Sequence, residues 1–396
     1  MEIKILKNAS NFDGLHLKEG MFLQKDISES EFDEIKQVHY YLNNIYTGER
    51  TEILPNIEKY DVGRIINASP VNEYLYFVNI FKNEAGVGNV SIIRYNYENM
   101  TTESLYSFED NIEEYSKIKR LKLFVLNDLY IFMQKEQLVY NAKKTYTGFL
   151  KFDLKLINLK DSVVYDITDE NLCNNGLSDV IYISENQYII KTGFSMLKDN
   201  RYNEFEQEEA SLETVGFINI GQILSDFVIG QNKINIQVID QAYYIKTIHY
   251  IKKEGSYLIY SLIDNELKEE EIKFYNLETE EVYSCINKDV IRESDIANTI
   301  IMNDEPYIYL VKEDEISFLN IVSGKIDVKF DEGLVMNKIF NNSVIMSGLS
   351  KKTLFMGSKP YFEVYSFPGK ELLCHETGEY VDSFMTEDEC IYININ

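Results

Sequence analysis

The segment Ile272-Lys273-Phe274-Tyr275-Asn276-Leu277-Glu278-Thr279-Glu280-Glu281-Val282-Tyr283 decides the reading of the fold. Apolar and polar side chains alternate over 272–275, a polar stretch interrupts them at 278–280, and alternation resumes at Val282. That is the pattern of two antiparallel strands joined by a tight turn. Relatives of this unit occupy 316–328 around Ser323-Gly324, 362–373 around Pro368-Gly369 and 91–108 around Met100-Thr101. Weaker copies turn at Leu159-Lys160 and at Gly221, and an early copy, Val38 to Leu54, turns at Thr47-Gly48.

A second unit alternates with the first: a short polar corner followed by a Tyr- and Ile-rich strand. The corners are Asn72-Glu73, Asn127-Asp128, Glu185-Asn186, Asp240-Gln241, Asn303-Asp304-Glu305, Asn341-Asn342 and Glu387-Asp388-Glu389. Asn and Asp suit such corners because they tolerate left-handed backbone geometry and hydrogen-bond their own main chain. Each period then supplies four strands at a spacing near the ~40–50 residues of a propeller blade.

The expected architecture is therefore an all-β, about seven-bladed β-propeller of four-stranded antiparallel blades, filling residues 1–396 as one domain. Dividing the weak copy at Gly221 and the long 241–286 period differently gives six or eight blades. The C-terminus offers only a first and second strand and the N-terminus only a third and fourth. Segments 36–54 and 381–394 are thus expected to share a composite closing blade, which removes the exposed sheet edges that invite aggregation. Residues 1–35 fit the repeat least and read as a capping segment, with Ser28-Glu29-Ser30-Glu31 as a capping box before a short helix. The copy at 275–282 resembles the outer hairpin of quinoprotein-like and YVTN-like blades. The resemblance implies a propeller and nothing about a site, because a chain with no Trp has neither a WD dipeptide nor a tryptophan docking layer for a quinone.

Composition narrows function by exclusion. A formal charge of −26 opposes phosphate backbones and anionic bilayers, so neither nucleic acid nor membrane is an expected partner. The N-terminus lacks the basic and apolar regions of a signal peptide, and Cys173, Cys285, Cys374 and Cys390 have neither disulfide-framework nor zinc spacing, which points to the cytoplasm. His16, His39, His249 and His375 lie in different periods, and no GxSxG, P-loop or HExxH occurs; no metal and no cofactor are expected.

Insertions concentrate between the second and third strands, at Lys82 to Asn89, Asn141 to Gly148, Ser195 to Leu212, Lys252 to Glu270 and Lys351 to Pro360. Strand alternation sends all of these to one face, and long loops on a rigid scaffold commonly carry function. Within them Lys143, Tyr146, Arg201, Tyr202, Lys351 and Lys359 form the candidate binding set for an acidic protein or peptide segment or a small anionic ligand. The leading expectation is a non-catalytic binding or scaffolding propeller presenting these loops to a protein or peptide. The alternative is a propeller hydrolase or lyase using carboxylates, with or without a divalent cation, at the channel mouth.

Overall fold

The computed structural model describes residues 2–7, 15–18, 20–28, 37–53, 64–68, 74–82, 88–110, 121–140, 148–193, 212–243, 246–264, 266–267, 269–286, 299–312, 315–330, 333–340, 342–350, 358–385 and 390–395. They form eight sheets. The first blade is built from Leu15–Lys18, Met21–Ser28, Gln37–Asn44 and Glu49–Ile53, in that spatial order and antiparallel throughout. Blades two to seven repeat this plan over 64–110, 121–167, 177–242, 246–286, 299–330 and 335–377. The eighth has three strands, with Tyr380–Met385 beside Cys390–Ile395 and the N-terminal Glu2–Lys7 running parallel to the latter.

The blades form a closed ring because the apolar core is divided by blade interfaces. Leu23, Leu42, Leu75 and Phe77 fill the first interface, between blades one and two, and Val78, Ile92, Leu123 and Ile131 the second. The series continues around the ring to Val364, Ile391 and Ile393 between blades seven and eight, and to Phe22, Ile45 and Phe384 between eight and one. Phe384 stacks on Tyr392 at 4.9 Å between ring centroids and meets Phe22 edge-on at 5.7 Å, which seats the last blade on the first.

One local device recurs in every complete blade. The third strand ends on Asn44, Asn96, Asn158, Asn219, Asn276 and Asn320 in the first six blades and on Ser366 in the seventh. The side-chain oxygen of Asn276 accepts from the backbone N–H groups of Glu278 (2.8 Å) and Thr279 (3.0 Å), and Asn44, Asn96 and Asn158 do the same two and three residues ahead. The residue that follows is always apolar: Ile45, Tyr97, Leu159, Ile220, Leu277, Ile321 and Phe367. Each packs into the interface with the preceding blade. Its amide also donates to the turn between the first two strands of its own blade, as in Leu277 to the Ser256 carbonyl at 2.8 Å and Phe367 to Asn342 at 2.7 Å. A short side-chain acceptor closes the turn, and the turn aims an apolar wedge at the neighbouring blade.

Several sequence expectations are corrected. The count is eight because the first blade is complete: Met21-Phe22-Leu23 is a strand turned by Gly20 (φ +76), so residues 1–35 contribute strands and not only a cap. The composite blade therefore takes Glu2–Lys7, whose Ile3 and Ile5 pack toward blade seven, and the strands over 36–54 are already paired within blade one. Asp240-Gln241 is not a corner. It lies in the strand Gln237–Ala242, where Asp240 pairs with Lys273 at 2.7 Å and accepts from the Tyr260 hydroxyl at 3.0 Å. The true corner is Gly255-Ser256, so 252–254, 257–264 and 269–270 are strand and not part of an insertion. Gly221 is helical, in the helix Ile220–Val228 that replaces the turn after Asn219. The proposed helix after Ser28 lies outside the described residues.

Substituting Asn276→Ala removes the acceptor for two turn amides and is expected to lower unfolding free energy by about 1–2 kcal/mol. Chemical denaturation compared with the exposed control Glu278→Ala checks it; equal stability of the two variants would contradict the role given to the asparagine.

Candidate functional site in the channel wall

The first strand of each blade lies innermost, and inner strands of neighbouring blades approach one another, 64–68 with 121–125 and 177–184 with 246–254 among them. An inner strand has a sheet partner on one side only, so half of its backbone groups face away from the sheet and need other partners. Side chains of adjacent blades supply several. Fully buried Gln134 clasps Leu177, donating to its carbonyl at 3.1 Å and accepting from its amide at 2.6 Å. Glu213 accepts from the Ile248 amide, Glu254 from the Ile301 amide at 3.0 Å, and Lys252 donates to the Thr299 carbonyl at 2.5 Å. Lys338 reaches the Ser383 carbonyl at 2.5 Å and the Asp382 carboxylate at 3.0 Å. The inner wall is thus laced blade to blade by polar bonds.

Six of the eight inner strands also carry a β-bulge, at 16–18, 65–67, 177–179, 249–251, 336–338 and 380–382. A bulge leaves one residue unpaired in the ladder and re-aims its side chain. The residues so released include Ser178, Tyr250, Asn337 and Val381. Tyr250 has φ +44, which is costly for a bulky side chain, and stands 60% exposed. Asn337 accepts from the Ser347 hydroxyl at 3.3 Å while its buried amide nitrogen has no partner, and the buried hydroxyl of Thr247 has none either. The wall therefore holds spare hydrogen-bonding capacity.

At the loop-bearing mouth of blade four, the Ser178 hydroxyl lies 2.9 Å from the Asp179 carboxylate and 3.3 Å from the Lys191 ammonium. Lys191 and Glu213 point to the same side of the sheet, toward blade five. Gly193 precedes the long connection to Glu213. Its φ of +97 and a built Cβ only 2.2 Å from the Glu213 Cγ show why a side chain is excluded there. On the opposite face buried tyrosines brace two blade interfaces: burial pushes Tyr188 and Tyr76 up to about 12, and Tyr188 donates to the Leu126 carbonyl at 2.7 Å.

Of the candidate binding residues from the sequence, Lys143, Tyr146, Arg201, Tyr202 and Lys351 lie outside the described residues. Lys359 is described and exposed; its backbone exchanges hydrogen bonds with Ser350, which fixes the root of its loop but gathers no other candidate around it. The insertions at 83–87, 141–147, 193–212 and 350–359 do join second to third strands, as expected, and so share one face. Sequence reading missed the bulged wall residues, since a bulge leaves no mark in apolar alternation. The recurrent Asn before an apolar residue was visible and would have located the third strand of the first six blades. Among the described residues no group of three or more His, Cys, Asp and Glu is placed to hold a metal ion, none of the four cysteines is in a disulfide, and no helix is long and apolar enough to cross a membrane.

No known family matches the chain, and no curated protein does. Solved structures resemble it in fold. Dipeptidyl peptidase 4 of Porphyromonas gingivalis aligns at TM-score 0.48 and 10% identity, over 94% of this chain and 55% of that one. Acylaminoacyl peptidase of Pyrococcus horikoshii aligns at 0.45 and 10%, over 93% and 55%. The β-propeller domain of the Trilobed protease from Pyrococcus furiosus aligns at 0.40 and 10%, over 90% and 95%. This chain thus spans about half the length of the first two. The fold is a β-propeller. The expectation of a non-catalytic scaffolding propeller is corrected here: the solved structures that resemble the chain are those of peptidases, and the likeness is one of fold alone.

Removing the inter-blade clasp by Gln134→Ala leaves the Leu177 amide and carbonyl without their partner and is expected to cost about 3 kcal/mol. Thermal unfolding checks it, and a melting temperature equal to wild type would show that the wall does not depend on such bonds.

Proposed function

We propose that the protein serves peptide-bond hydrolysis as the propeller that admits an extended peptide, the channel wall being the surface the peptide meets. The observation that supports this is the set of bulged inner strands. They turn Ser178, Tyr250 and Asn337 out of the ladder, and the amide nitrogen of Asn337 has no partner. An extended peptide carries an unpaired donor and acceptor at nearly every residue. A wall of free sheet edges, hydroxyls and amides answers that need, and a closed ring excludes folded chains by size. Tyr250 adds an exposed ring with a polar tip, which suits contact with varied side chains.

Peptide cleavage is the chemistry named for the peptidases above. Asp179 and Glu213 are the carboxylates at the mouth of blade four. A cytoplasmic setting fits four cysteines of which none is in a disulfide.

The test is fluorescence anisotropy with labelled, unstructured ten-residue peptides. Wild type is expected to bind them, and Tyr250→Ala combined with Asn337→Ala to weaken binding at least tenfold with little change in melting temperature. Failure of wild type to bind any such peptide, or equal affinity of the double variant, would overturn the reading.

A further inference from the structure

Lys191 is a buried charge with few partners among the described residues. It is only 7% exposed, and its ammonium has three donors but one hydrogen bond, at 3.3 Å, to the Ser178 hydroxyl. No described carboxylate lies within ion-pairing reach of it. Asp179 stands opposite it in the ladder but turns its carboxylate onto Ser178, and buried Glu213 is engaged by the Ile248 amide. Burying an ammonium is costly unless acceptors surround it, and other interior lysines here comply: Lys273 is paired with Asp240 at 2.7 Å. Lys191 departs from that rule at the mouth of the channel, beside a bulged serine and a glycine that cannot carry a side chain.

We propose that Lys191 and Ser178 form a binding site for a carboxylate at the loop-bearing mouth of blade four. Resting on the peptide reading above, the carboxylate is the C-terminal group of the admitted peptide. The unused N–H donors of Lys191 take its two oxygens. The Ser178 hydroxyl turns from Asp179 to donate a further bond, and the charge-assisted bonds so made are stronger than the single long one they join. This also gives the channel a polarity, since a peptide anchored by its C-terminus at this mouth extends its N-terminal part along the wall.

The experiment compares one ten-residue peptide as its free acid and as its C-terminal amide, by calorimetry, on wild type, Lys191→Met and Ser178→Ala, with acetate alone as a second arm read by thermal shift. Wild type is expected to bind the acid at least tenfold more tightly than the amide. Lys191→Met, which keeps the buried stem, is expected to abolish that preference while leaving amide binding unchanged, and Ser178→Ala to reduce it. If no peptide binds but acetate raises the melting temperature of wild type and not of Lys191→Met, the carboxylate site stands and the peptide reading falls. Equal binding of acid and amide to wild type, with no acetate effect that depends on Lys191, would overturn the proposal.

Discussion

The apolar residue that follows the turn-capping asparagine holds the architecture together. A single blade is a four-stranded sheet with two apolar faces and cannot bury either alone, so each must be covered by a neighbour. Leu277 shows how the cover is fixed. Asn276 ties down the turn, the Leu277 amide bonds the Ser256 carbonyl in the blade's other turn, and its side chain enters the core shared with blade four. Two hairpins of one sheet and the face of the next are thereby positioned by three consecutive contacts. Repetition of this unit at Ile45, Tyr97, Leu159, Ile220, Ile321 and Phe367 makes the angle between blades a local property, and closure follows from repeating it.

Closure meets a constraint where the chain ends. The eighth blade has only the hairpin Tyr380–Met385 and Cys390–Ile395, and Glu2–Lys7 completes it in parallel. The direction follows from connectivity. Glu2–Lys7 must leave toward the loop-bearing face to reach the inner strand of blade one, as every outer strand does, and it therefore has an outer strand's direction in a third strand's place. Ile3 and Ile5 still cover the seventh blade and Leu6 the first, so the ring seals with one strand fewer.

The propeller was legible in the sequence because its signals are local. Asn303-Asp304, with φ of 50 and 60, forms the tight left-handed corner that its residue types announce, and the corners at 127–128, 185–186 and 341–342 lie between the strands expected of them. What failed was long-range. Asp240-Gln241 has the composition of a corner, but the tertiary partners Lys273 and Tyr260 hold Asp240 in a strand, and no sequence pattern reveals a partner 33 residues away. Glu2–Lys7 was hidden for the same reason, since its partner is at the other end of the chain. The site was less legible still. Charged loop residues drew attention by type, whereas Ser178, Tyr250 and Lys191 matter through a bulge, a backbone angle and a missing partner, which exist only once the sheets are assembled.

A closed ring makes the inner strands a wall and gives that wall a mouth, so the functional account depends on the pairing of the two chain ends. Glu2 stands opposite the native Cys390 in that pairing, within the span a disulfide bridges. The direct measurement is peptide mapping of the Glu2→Cys variant after mild oxidation. A disulfide joining position 2 to Cys390 in the monomer is the predicted result. A variant that stays fully reduced, or links position 2 elsewhere, would contradict the closed eight-bladed ring.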